Sequence, residues 1–265
     1  MKRKNASDTA FALLRCILYL CVFLFVPSVV SFLVSVVVSM LKSNMPTDVA
    51  EELLTKLTSP IMALSYVVII LIFTVYFKVK KTSLLSEAGV MPVKVRVAVD
   101  GALLGIGMFG IFQMLITVLV KIIPQSWQNL QDNQAISLLG GELVIGVLYT
   151  VVVAPICEEI VFRGLLLGTL EGHVPKFVGV IVVAIVFSII HLPSPIAIIY
   201  TFVLGIILGF VRYRTKSLVP CILAHVAFNA INYLLFIDVI MYIILIASIP
   251  LVIYSVIDIV RKTRG

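Results

Sequence analysis

Charged residues are scarce in this chain of 265 residues. They make up 12% of the sequence, whereas 62% of the residues are hydrophobic and the mean hydropathy is +1.20. A soluble domain normally carries about 25% charged residues, because its surface must face water. The scarcity therefore excludes an ordinary soluble domain and indicates a polytopic membrane protein.

Cysteine is also scarce, and its placement excludes two further classes of protein. The four cysteines lie in apolar stretches without a CxxC pair, which is typical of buried small side chains and not of a disulfide framework or a redox pair.

The basic residues form no patch interleaved with aromatic side chains, so nucleic acid is not an expected partner.

Long apolar stretches are what the sequence does have. About 20 apolar residues cross a hydrocarbon core of about 30 Å. The sequence therefore predicts an all-α polytopic membrane protein of about eight transmembrane helices. The predicted spans are roughly 10–41, 59–77, 96–122, 143–170, 174–192, 195–212, 217–236 and 238–260, and the connection 123–142 suits an interfacial segment through Trp127 and Leu130.

Two adjacent acids interrupt the fourth predicted span. A carboxylate at bilayer depth costs about 2.5–3.5 kcal/mol even on a lenient insertion scale, so each acid needs a partner or a purpose. Glu159 and Arg163 stand at i and i+4 on one helix face, where they can form a structural ion pair. Glu158 points about 100° away from Glu159 on a regular helix. We therefore predict that Glu158 faces a cavity and acts as a general base.

Further polar residues follow in later spans. Phe187 and His191 are four residues apart, and so are His225 and Asn229. A lone histidine in a membrane helix usually makes an interhelical hydrogen bond. Two histidines with an asparagine and a doubled acid favour a catalytic site instead. Three glycine pairs with GxxxG spacing are assigned to close helix packing: Gly101/Gly105, Gly164/Gly168 and Gly205/Gly209.

These residues form a pattern that resembles a known family. The segments EEIVFR at 158–163, FSIIH at 187–191 and HVAFN at 225–229 resemble the EExxxR, FxxxH and HxxxN motifs of the CAAX-protease and bacteriocin-processing (Abi) family of intramembrane proteases. The order of the motifs matches as well. The resemblance covers roughly residues 140–236, whereas residues 1–122 are similar only in being multi-span.

The resemblance implies a reaction and roles for the residues. Glu158 and His191 are similar to the residues that activate the attacking water, and His225 and Asn229 to the pair that stabilises the oxyanion. Glu159 and Arg163 would support them. The implied activity is hydrolysis of a peptide bond by an intramembrane endopeptidase. A carboxylate that acts as a base and hydrogen-bond donors fixed near the reacting carbonyl are consistent with peptide-bond hydrolysis.

Metal dependence stays open at the level of the sequence. Glu158, His191 and His225 could ligate zinc with an open position for water. The chain lacks HExxH, and asparagine is an uncommon zinc ligand. We therefore favour a mechanism without a metal and keep zinc as the alternative.

The predicted organisation has four parts. Residues 1–122 contain three transmembrane helices that select the substrate, 123–142 connect them, 143–236 form the catalytic core, and 237–265 contain the last helix and a basic tail. The expected partners are the lipid bilayer and a membrane-associated peptide or protein substrate. Family members cleave prenylated CAAX proteins in eukaryotes and archaea, whereas bacterial ones are linked to bacteriocin immunity and peptide processing. Two other functions remain open: a non-catalytic immunity or signalling protein of the same fold, and a transporter with a proton-relay acid.

The basic residues predict the orientation. With the N-terminus inside, fifteen lysines and arginines lie at inner segments and three at outer ends, and positive charge accumulates on the cytoplasmic side. The inner set is Lys2, Arg3, Lys4, Lys78, Lys80, Lys81, Lys94, Arg96, Lys176, Arg212, Arg214, Lys216, Arg261, Lys262 and Arg264, and the outer set is Lys42, Lys56 and Lys121. Both termini are predicted cytoplasmic, in a membrane of the bacterial plasma-membrane type.

A reporter fused after Gly265 tests this orientation. We expect a cytoplasmic reporter such as green fluorescent protein to be active there and a periplasmic alkaline phosphatase to be inactive, because the inner ends carry the basic residues. The opposite pair of signals would contradict the predicted orientation.

Overall fold

The computed structural model describes residues 5–42, 46–123, 143–192, 194–234 and 238–263. Throughout these ranges the regular structure is helical, apart from one isolated bridge between Glu171 and Val174. This confirms the predicted all-α class. The predicted interfacial segment, with Trp127 and Leu130, lies outside the described residues after position 123.

The described residues form nine helices, four of which begin or end next to a proline, a glycine or a capping serine. They are α1 (Ala6–Lys42), α2 (Thr47–Val79), the short α3 (Leu84–Glu87), α4 (Val95–Ile122), α5 (residues 143–170), α6 (Lys176–Ile189), α7 (Pro195–Thr215), α8 (Val219–Leu234) and α9 (Asp238–Lys262). Helix α5 is composite, because it contains two π-helical stretches, Tyr149–Val153 and Ile160–Leu166. Ser194 caps α7 by accepting a hydrogen bond from the Ala197 amide at 3.2 Å.

Within the described ranges, six helices are long and apolar enough to cross a membrane. They are α1, α2, α4, α5, α7 and α9. The predicted spans at 174–192 and 217–236 correspond to α6 and α8, which have 14 and 16 residues. At a rise of about 1.5 Å per residue these are about 21 and 24 Å long, so neither crosses a core of about 30 Å by itself. The membrane class is confirmed, whereas two of the eight expected spans are short.

Helix α5 lies at the centre of the bundle. Its first half contacts α2 and α8, and its second half contacts α1, α6 and α7. Nearly every residue from Ala154 to Leu167 is buried. Helices α1 and α9 are peripheral, since α1 buries only 11% of its most apolar window whereas α7 buries 50%. The doubled acid therefore lies in the helix that the rest of the protein surrounds.

Glycine lets several helices approach α5 and one another closely. A Cβ atom on Gly101 or Gly105 of α4 would meet the backbone of Pro220 or Ala224 in α8. A Cβ atom on Gly164 would meet Ala88, just after α3, and one on Gly205 or Gly209 would meet Ala184 or Val180 in α6. Gly168 differs, because nothing lies within 4 Å of its Cβ position. The packing role expected for the glycine pairs therefore holds for five of the six.

The contrast between Gly105 and Gly168 can be tested by replacing each glycine with alanine. Gly105→Ala should lower the free energy of unfolding by about 1–3 kcal/mol, because the backbone of Ala224 cannot move aside without separating α4 and α8. Gly168→Ala should be neutral or stabilise by up to about 1 kcal/mol through helix propensity. Thermal unfolding in detergent measures both, and equal effects at the two positions would refute the packing argument.

Candidate active site

The two acids lie between the π-helical stretches of α5. Glu158 is 8% exposed and Glu159 is fully buried. A π turn inserts an extra residue into the helix and so rotates the side chains that follow, and such turns are frequent at functional sites. Carbonyls in these turns also serve other helices. The Thr150 carbonyl, in the first π stretch, accepts a hydrogen bond from Nδ2 of Asn229 in α8 at 2.9 Å.

Glu159 forms the centre of a buried charged cluster. Its Oε1 atom lies 2.7 Å from Nη1 of Arg163 and 2.9 Å from Nδ1 of His225. The Arg163 guanidinium also lies over the ring of Phe187, 4.2 Å from its centroid, a cation–π contact. The i,i+4 pair predicted from the sequence is therefore present, and it reaches two further helices.

The contact with Glu159 determines which nitrogen of the His225 ring carries a hydrogen. An ionised carboxylate only accepts hydrogen bonds, so Nδ1 of His225 carries a hydrogen and donates a hydrogen bond to Oε1 of Glu159. Nε2 of the same ring then faces Oε2 of Glu158 across 3.8 Å. His225 thus lies between the two acids, bonded to one and opposite the other.

Glu158 makes a contact that the sequence did not indicate. Its Oε1 atom accepts a hydrogen bond from the hydroxyl of Tyr66, in α2, at 3.2 Å. Tyr66 is itself buried, and its ring packs edge-on against Tyr149 at 5.6 Å. One carboxylate oxygen is therefore held by α2, while the other is turned toward His225.

His191 lies in the turn that follows α6. Its Nδ1 atom is 2.8 Å from the carbonyl oxygen of Phe187, which can only accept, so Nδ1 carries a proton and Nε2 is the basic nitrogen when the ring is neutral. The His191 ring packs edge-on against Phe187 at 5.0 Å, and Phe187 lies 6.1 Å from the ring of His225. Both histidines thus hold Nδ1 in a hydrogen bond and leave Nε2 available, and Nε2 of His225 faces Glu158.

Direct contacts join Glu158, Glu159, Arg163 and His225, whereas His191 meets them through Phe187 and Asn229 bonds the Thr150 carbonyl. Glu158, Glu159 and Arg163 are supplied by α5, His191 by the turn after α6, and His225 and Asn229 by α8. Sequence reasoning missed Tyr66. One tyrosine in an apolar helix carries no spacing signal, and its partner is 92 positions away.

The zinc alternative requires at least three donors arranged around one position. In the part of the chain that the structure describes, no group of three or more histidine, cysteine, aspartate or glutamate side chains is arranged to hold a metal ion. His225 bonds Glu159 through Nδ1 and faces Glu158 through Nε2, which brings two donors opposite each other without a third among the described residues.

The fold is that of a polytopic membrane protein with a buried carboxylate–histidine cluster. Comparison with known proteins confirms the resemblance to the CAAX-protease family: residues 140–231, about a third of the chain, match the family described as type II CAAX prenyl endopeptidase Rce1-like. The matched range contains all six residues named above.

A curated relative supports the same assignment. The chain is 28% identical over 99 residues to a Bacillus subtilis (strain 168) protein named "Putative membrane peptidase YdiL". The matched region spans 37% of this chain and 40% of that relative. No solved structure matches the chain.

The charged cluster generates a stability prediction. Arg163→Ala should lower the free energy of unfolding by about 3–5 kcal/mol, because it leaves the fully buried Glu159 without its cation. Thermal unfolding and the yield of folded protein in detergent measure the effect. The matched control is Arg96→Ala, which removes a largely exposed partner of Asp258 and should cost about 1 kcal/mol or less.

The double variant Arg163→Met with Glu159→Gln separates the effect of an unpaired buried charge from the effect of losing the packing of the Arg163 side chain. It should recover part of the lost stability, since no buried charge is then stranded. An Arg163→Ala protein of unchanged stability would contradict a structural role for the pair.

Proposed function

We propose that this protein is an intramembrane endopeptidase that hydrolyses a peptide bond in a membrane-associated peptide or protein. One observation carries the proposal: Oε2 of Glu158 lies opposite Nε2 of His225, while the neighbouring Glu159 neutralises Arg163. A carboxylate that is not consumed by an ion pair can accept a proton. Its surroundings supply donors for the charge that develops in peptide hydrolysis.

The proposed reaction begins with a water held between Glu158 and His191. Glu158 takes one proton as the water oxygen attacks the carbonyl carbon of the scissile bond. The resulting tetrahedral intermediate collapses when the carbon–nitrogen bond breaks, and the proton passes from Glu158 to the leaving amine. His191 orients the water through Nε2, because Phe187 holds its Nδ1 proton.

His225 and Asn229 are proposed to stabilise the oxyanion. Asn229 donates one Nδ2 hydrogen to Thr150 and retains a second. His225 can donate from Nε2 when it carries a second proton, whose charge the oxyanion then balances. The donors are fixed by the helices before the substrate binds, which is the condition for strong stabilisation.

Tyr66 is proposed to position the catalytic carboxylate. Its hydroxyl holds Oε1 of Glu158, so that Oε2 is directed toward the histidines. The N-terminal helices, expected to select the substrate, would thus also orient the base. A carboxylate fixed in one rotamer loses less entropy when it accepts the proton.

An apolar cavity supports an apolar substrate. It has a volume of about 70 Å³ and lies between α4, α7, α8 and α9, with Phe112, Tyr200 and Phe228 in its wall. Phe228 in this wall directly precedes Asn229 in α8. We propose that this cavity receives a small apolar side chain next to the scissile bond.

The orientation proposed for the chain has both termini in the cytoplasm of a bacterial cell.

The catalytic proposal depends on Glu158. Glu158→Gln is nearly isosteric but cannot act as a base, so it should lower cleavage by more than about 10²–10⁴-fold while the protein folds normally. His191→Ala should behave alike. Asn229→Ala should lower the rate by about 10²–10³-fold, as the loss of one oxyanion donor does. The assay is mass spectrometry of a panel of membrane-associated peptides incubated with the purified protein in vesicles.

Glu52→Gln is the matched control, because Glu52 pairs with Lys56 on the exposed surface of α2. It should retain wild-type cleavage. A Glu158→Gln protein that cleaves an identified substrate at full rate would refute the mechanism. Inhibition by 1,10-phenanthroline that is reversed by added zinc would replace it with the metal mechanism. A Glu158→Gln protein that keeps its cellular phenotype, with no cleavage by the wild type, would favour the interaction protein.

A further inference from the structure

A polar cavity, separate from the apolar cavity described above, lies away from the catalytic cluster. It has a volume of about 530 Å³ and is lined by residues at one end of α1, α2, α5 and α7. Tyr66 and Tyr76 are ten residues apart in α2, and Glu158 and Gly168 are ten apart in α5. Ten residues of helix correspond to about 15 Å. The cavity is therefore separate from the site that contains Glu158.

The charges of this cavity do not balance. Arg15, Lys80 and Arg212 are three cations in its wall, against two carboxylates, Glu87 and Glu171. Glu171 is paired with Lys216, outside the wall, at 2.8 Å. Among the described residues, the three cations of the wall form no ion pair. A half-buried guanidinium without a carboxylate favours an anion as its partner.

Arg212 is held in the cavity by the shape of the backbone around it. A Cβ atom on Gly89 would collide with its guanidinium, so the group rests directly on the Gly89 backbone, whose φ of +73° also suits glycine. Its Nε atom is buried without a hydrogen-bond partner in the described residues. The fold thus fixes the position of the cation while leaving its charge unmatched.

The cavity lies at the ends of helices that are long and apolar enough to cross a membrane. It opens at the helix ends next to Lys78, Lys80 and Lys81, and Tyr76 in its wall is 37% exposed. Tyrosine is enriched at the membrane interface, and basic pockets between transmembrane helices bind anionic headgroups. The catalytic site, about 15 Å deeper, contains no comparable excess of positive charge.

We infer that this cavity binds the phosphate of an anionic phospholipid headgroup. Arg212 contacts the phosphate from the inner wall, and Arg15 and Lys80 contact it from the exposed rim. Free phosphate has the same chemistry and is the other source that the experiment must separate. The inference does not depend on the proteolytic activity.

The test is native mass spectrometry of the purified protein titrated with phosphatidylglycerol, with phosphatidylcholine or with inorganic phosphate. Wild-type protein should bind phosphatidylglycerol in preference to phosphatidylcholine. Arg212→Gln should weaken that binding about tenfold, the loss expected for one charge-assisted contact. Lys80→Gln should weaken it by a smaller factor, because Lys80 is exposed. Saturation by phosphate alone, with the same dependence on Arg212, would assign the site to free phosphate.

Two matched controls come from the same helix ends. Arg214 is exposed and bonds the Val260 carbonyl, and Lys78 is exposed on α2, and neither lines the cavity. Arg214→Gln and Lys78→Gln should change the affinity by less than about twofold. Gly89→Ala retains every charge but displaces Arg212, so it should weaken binding as Arg212→Gln does. Equal losses in Arg212→Gln and Arg214→Gln, or binding that no variant changes, would overturn the inference.

Discussion

The buried contact between Glu159 and Arg163 is the interaction on which the rest of the site depends. Both side chains are almost completely buried, and removing two charges from water costs several kcal/mol per ion. Their attraction offsets part of that cost, and the remainder is distributed over contacts with other helices. Arg163 lies over Phe187 in α6, and Glu159 bonds His225 in α8. One ion pair therefore fixes the mutual positions of three helices.

The same pair gives the doubled acid two different roles. The i,i+4 relation makes Glu159 the partner of Arg163, which leaves Glu158 without a cation on its own helix. Glu158 instead meets the Tyr66 hydroxyl and faces a histidine whose tautomer Glu159 has fixed. A single acid could not both neutralise Arg163 and remain available to accept a proton. The two adjacent carboxylates are thus explained by one structural and one proposed catalytic requirement.

Local spacing explains why much of the site was predictable. Glu159 with Arg163, Phe187 with His191, and His225 with Asn229 are each four residues apart, so the helix itself brings each pair together. Tyr66 could not be predicted, because its contact joins positions 92 apart and an apolar helix has many equivalent positions. The open space beside Gly168 and the polar cavity that contains Arg15, Lys80 and Arg212 also depend on contacts between helices that are far apart in the sequence. The apolar stretches indicate where the spans lie, but they do not indicate the end of α6 at Ile189, because apolar residues continue beyond it.

The turn that contains His191 follows a short helix. Helix α6 ends at Ile189, and α7 begins at Pro195. His191 is about 21–24 Å from Lys176 along a helix that need not run parallel to α5. Glu158 lies twelve residues before the end of α5, about 18 Å along the helix, within an apolar span of 27 residues. A bilayer matched to that span would enclose the acids, and His191 meets their cluster through Phe187. A peptide bond cut by these groups would then have to enter the membrane, and the enclosing helices would have to admit water to the same depth.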